Sequence, residues 1–77
     1  MQRSRKYRGA EMTRGERNNW ILNIENTASY IASEIGEAVV ASTLYKYGTR
    51  SIDQIASSDL SEVFSELYAI EADLRSG

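Results

Sequence analysis

Four carboxylates, Asp59, Glu62, Glu66 and Asp73, are spaced by three, four and seven residues, which gathers them on one side of a helix. Clustered carboxylates can bind a cation, share a proton or attract a basic partner. The alternating Asp/Asn and Gly of a calcium loop is missing, and neighbouring helical carboxylates alone chelate weakly. For acid/base work they would need a cleft, and no sequence signal indicates one. The stripe therefore reads as a solvated face able to serve as an acidic docking face for a basic protein.

Other catalytic sets fail for want of parts. The chain has no His and no Cys, which removes the usual zinc ligands, the commonest general base, thiolate chemistry and disulfides. Ser and Thr are plentiful, but the only lysines are Lys6 and Lys46, so no hydroxyl has a paired base to activate it. Glycines 9, 15, 36, 48 and 77 are scattered and form no phosphate-cradling loop. The expectation is a non-enzyme with no cofactor, no metal site and no catalytic residue.

The net charge of −2 conceals an asymmetry. Residues 1–17 carry six basic against two acidic groups, a net of +4; residues 18–77 carry three against nine, a net of −6. A basic arm is attached to an acidic body. Within the arm Arg3, Arg5, Lys6 and Arg8 could neutralise phosphates, with Tyr7 stacking on a base. The acidic body opposes that reading wherever the arm does not shield it. A helix-turn-helix over Val39–Leu67 is disfavoured as well, because its second element offers base edges only Arg50 and Gln54. Tyr45, Tyr47 and Tyr68 suit a core edge or an interface, where one end of each ring stays wet.

These residues must be positioned by helices. Leu60, Val63, Phe64, Leu67, Ile70 and Leu74 recur at helical spacing opposite the carboxylates, predicting an amphipathic helix over 59–74 with Asp59 as N-cap and Glu62 closing a capping box. Thr13 and Glu16 form a second capping box. From there Ile21, Ile24, Ala28, Ile31 and Ile35 make another stripe. The stripe changes phase after Gly36, continuing through Val39 or Val40, Leu44 and Tyr47. With no Pro and no N-cap beside Gly36, one long helix over 14–47, continuous or gently bent, is expected in preference to two. Gly48 should end it, and Ser51 with Gln54 should cap a short turn over 51–56. The fold class is all-α, with two to three helices: a basic flexible arm over 1–12 and one helical domain over 13–77.

One copy can pack the two stripes together, but this leaves Trp20, Val40 or Leu44, and the tyrosines with little cover. Self-association is therefore expected, a dimer in preference to a tetramer, through Ile21, Ile24, Ile31, Ile35, Leu44, Phe64 and Leu67. The partners implied are a second copy and another protein, with nucleic acid less favoured. No run is apolar enough to cross a bilayer and no secretory signal is evident, so no membrane partner and a cytoplasmic location are expected.

The segments GEAVVASTLYKYG and SEVFSELYAIEADLR give residues 20–75 a resemblance to small uncharacterised helical proteins encoded on plasmids and integrative elements of Gram-positive bacteria. The resemblance implies an accessory role on a mobile element and carries over no active site.

Overall fold

The structure, a computed structural model, describes residues 12–77. It is all-α: α1 spans Arg14–Ile35, α2 Glu37–Lys46 and α3 Leu60–Ser76, with single 3-10 turns at Ile52–Gln54 and Ser57–Asp59. The described residues contain no strand.

The Thr13 capping box starts α1 as expected. The Glu16 amide donates to Thr13 Oγ1 at 3.1 Å, and the Thr13 amide donates to Glu16 Oε1 at 2.9 Å. Two of the helix's four unpartnered amide-end donors are thereby matched locally.

The long helix over 14–47 is corrected to two helices. Gly36 has φ +105° and ψ 158°, a conformation essentially confined to glycine. Its N–H still reaches Ala32 O at 3.0 Å, but its own backbone has left the helical path, so α2 starts afresh at Glu37. The phase change after Gly36 was the signature of this break. At the other end of α2, Gly48 has φ +77°. The Gly48 amide bonds Tyr45 O at 3.1 Å and the Thr49 amide bonds Leu44 O at 3.3 Å, the paired bonds of a Schellman motif.

Two local capping expectations also change. Asp59 closes a 3-10 turn with φ −100° and ψ −8°, and its carboxylate makes no capping bond. An N-cap side chain needs extended backbone to reach the next amides, so the Asp59–Glu62 box does not form. Ser51 holds the Ile52–Gln54 turn through its carbonyl, which accepts from the Gln54 amide at 3.2 Å, without a side-chain cap.

The helix pairing follows from three contacts. Trp20 meets Phe64, Thr27 meets Glu71 and Tyr30 meets Arg75. The separations of 44 or 45 residues are constant, so α1 and α3 run parallel. Parallel neighbours require a return path, and α2 with the 47–59 connection supplies it. Arg17 pins this connection to α1 by donating to Asp53 O at 2.8 Å and Ser57 Oγ at 3.0 Å.

The core draws on all three α-helices and on the connection: Ile24, Ala28 and Ile31 from α1, Val40 and Leu44 from α2, Ile55 from the connection, and Leu60, Val63 and Leu67 from α3. Ile35 leaves the expected stripe and is 49% exposed. By the 44–45 residue offset, α3 ends level with the Tyr30–Ala32 turn, so Ile35 projects beyond the helix that would have covered it. No described helix is long and apolar enough to cross a membrane.

Candidate functional site

The acidic side of α3 is less uniform than its spacing suggests. Glu62 and Asp73 are exposed, Asp59 and Glu66 half-buried. Glu66 is an internal strut: its Oε1 accepts from Lys46 Nζ at 2.5 Å and its Oε2 accepts from the Tyr47 hydroxyl. Lys46, then Tyr47, hold the Glu66 carboxyl below its ordinary range. The same bond, helped by desolvation and by the charges of Glu66, Glu62 and Asp59, pushes Tyr47 up to about 12. Glu66 thus fastens α3 to the end of α2, leaving Glu62 and Asp73 as the open part of the stripe.

A second carboxylate was missed by spacing arguments. Glu71 accepts the Thr27 hydroxyl from α1 and Arg75 Nε at 2.7 Å from its own helix. Thr27, then Arg75, lower its pKa. The Arg75 guanidinium in turn lies 4.3 Å over the Tyr30 ring, at cation–π distance. One signal was available: Thr27 interrupts the stripe between Ile24 and Ile31, and a buried hydroxyl needs a partner.

Around this pair lies an aromatic seam along the α1–α3 junction. Trp20 and Phe64 meet edge to face at 5.8 Å, and Phe64 stacks on Tyr68 at 5.6 Å. Tyr68 remains 54% exposed.

The seven residues expected to mediate self-association divide by burial. Ile24, Ile31, Leu44 and Leu67 are core of a single copy, which corrects their assignment to a seam between copies. Ile21 and Phe64 are half-buried and Ile35 exposed. Arg3, Arg5, Lys6, Tyr7 and Arg8, proposed for nucleic acid, lie outside the described residues.

Charge is unevenly spent. Arg17, Lys46 and Arg75 are engaged by the chain's own oxygens, and Arg50 sits 5.8 Å over the Tyr45 ring. Among the described residues no ion pair engages Glu25, Glu34, Glu37, Asp53, Glu62 or Asp73. Nor does any group of three potential ligands there stand close enough to hold a metal ion.

A groove of about 410 Å³ separates α1 from α2. Ala28, Ser29 and Ala32 form one wall and Val40 and Ala41 the other, with Glu25 and Glu37 also lining it. Small side chains keep it open. Arg50 lies between this groove and a neighbouring hollow of about 380 Å³ beside Tyr45. No family model, curated protein or solved structure matches the chain.

Proposed function

We propose that the chain is a small, non-enzymatic helical interaction module that pairs with a second copy and offers an acidic surface to a basic protein. The observation that carries this reading is the Trp20–Phe64–Tyr68 seam, with Tyr68 half open to solvent. Aromatic and arginine side chains concentrate at protein interfaces, and this seam adjoins the Tyr30–Arg75 pair. A two-fold dimer would lay the seam against its own copy, covering rings that one copy leaves wet. The cations committed inside the fold leave carboxylates to face a partner, which supports a basic one. An accessory role, which the resemblance of residues 20–75 to plasmid-encoded helical proteins implies, and a cytoplasmic location belong to the same reading. Sedimentation of wild type and Tyr68→Glu tests the pairing. A wild-type dimer and a folded Tyr68→Glu monomer are expected; a cooperatively melting wild-type monomer at high micromolar concentration removes the self-pairing.

A second reading, nucleic-acid contact, is favoured by the +4 charge of residues 1–17. Four arm cations on duplex phosphates would give a logarithmic salt slope of about −3 to −4. A gel shift with the Arg3, Arg5, Lys6 and Arg8 quadruple Gln variant tests it. An unchanged shift discards the arm as the contact.

A further inference from the structure

We infer that the groove between α1 and α2 is a docking site for the chain's own basic arm, residues 3–8. Reach and charge both bear on this. Met12 packs against the core and so fixes where the arm departs. An extended chain advances about 3.3 Å per residue and a helix about 1.5 Å. Lys6, six residues before Met12, therefore reaches about 20 Å, the height of Glu25 above Met12 on α1. Arg3 reaches about 30 Å, the height of Ala32, across the groove from Glu37. Fully extended, the arm is thus long enough for its basic residues to reach both carboxylates of the groove.

Charge favours the same placement. Glu25 and Glu37 line the groove and are engaged by no ion pair among the described residues. Arg50, the one cation among the described residues that line it, lies over the Tyr45 ring. The walls of Ala28, Ser29, Ala32 and Ala41 admit an extended backbone that bulkier side chains would block, and Tyr7 adds an apolar group between the cations. Tethering raises the arm's local concentration to the millimolar range, so individually weak contacts populate the docked state. This inference is independent of self-pairing. Its consequence is regulatory: cations seated in the groove are withheld from phosphates, and a competing basic segment must displace the arm before using the groove.

The full chain has no cysteine, so Ser4→Cys carries a single nitroxide whose paramagnetic broadening maps the arm. At ~10 mM salt, where the screening length is about 30 Å, amide signals of Ala28–Ala32 and Glu37–Ala41 should lose at least half their intensity. At 1 M salt, with screening at about 3 Å, they should recover. The Glu25→Gln/Glu37→Gln chain should lose at least half of the low-salt broadening, with its circular dichroism melt intact. Broadening centred on Glu62–Asp73, spread evenly, or unmoved by the double variant overturns the assignment. So does broadening that appears only between a labelled copy and an isotope-enriched unlabelled copy, which would put the arm on a second molecule.

Discussion

Thr27 of α1 donates its hydroxyl hydrogen to Glu71 of α3, joining two parallel helices by a side-chain bond 44 residues apart in sequence. Thr27 is almost fully buried, so its hydroxyl has no water to fall back on. Thr27→Val keeps the shape and removes the donor. It should destabilise the fold by about 1 kcal/mol, the net contribution of a typical intramolecular hydrogen bond. Chemical denaturation measures this, and an unchanged midpoint would show the bond to be absent in solution.

Acid should loosen the same struts. Glu66 and Glu71 have native pKa values below their ordinary one, 4.5. Their unfolded forms therefore take up protons first as pH falls. The stability they contribute is complete above about pH 5 and is lost as pH drops through the native values. Stability measured from pH 6 to pH 2 should fall less steeply in Glu66→Gln and Glu71→Gln than in wild type. Parallel slopes would contradict the assignment.

Tyr47 produces the opposite limb. Its pKa rises from 10.0 to about 12, so the unfolded chain releases this proton at lower pH than the native one does. The associated stability is complete below pH 10 and disappears as pH climbs toward 12. Tyr47→Phe should abolish that share of the alkaline loss. An unaltered alkaline profile would exclude the Tyr47–Glu66 bond as its source.

Gly36→Ala tests the break between α1 and α2. No atom crowds a Cβ there, but φ of +105° is strained for alanine, by about 1–3 kcal/mol. Alanine also favours the continuous helix that the break forbids. A lower melting temperature with unchanged or increased helical circular dichroism is expected. A rise in melting temperature would mean that the break is not needed for the fold.

Ile31→Asp and Asp73→Ala separate core from surface. Ile31 is fully buried in one copy, and a carboxylate there carries a desolvation penalty of several kcal/mol, enough to unfold so small a chain. Asp73 is exposed, so its loss should leave the melt within about 0.5 kcal/mol of wild type. A folded monomeric Ile31→Asp protein would return Ile31 to a seam between copies.

Local rules decided much of this molecule before any packing. The Thr13–Glu16 box, the Gly48 terminator and the Leu60–Val63–Leu67 stripe involve residues within a few positions of one another. Backbone geometry and helical periodicity therefore determine them in the sequence itself. Gly36 stood at the boundary. Its propensity could be read, but whether the chain bends there depends on what α2 gains by turning Val40 and Leu44 into the shared core. Only tertiary structure settled the long-range relations: the parallel course of α1 and α3, the exposure of Ile35 beyond the end of α3, and the use of Glu66 and Glu71 as struts. A carboxylate on a helix face looks alike whether it meets water or a hydroxyl 44 residues away. The difference is made by which helix lies against it, and helical periodicity does not encode that.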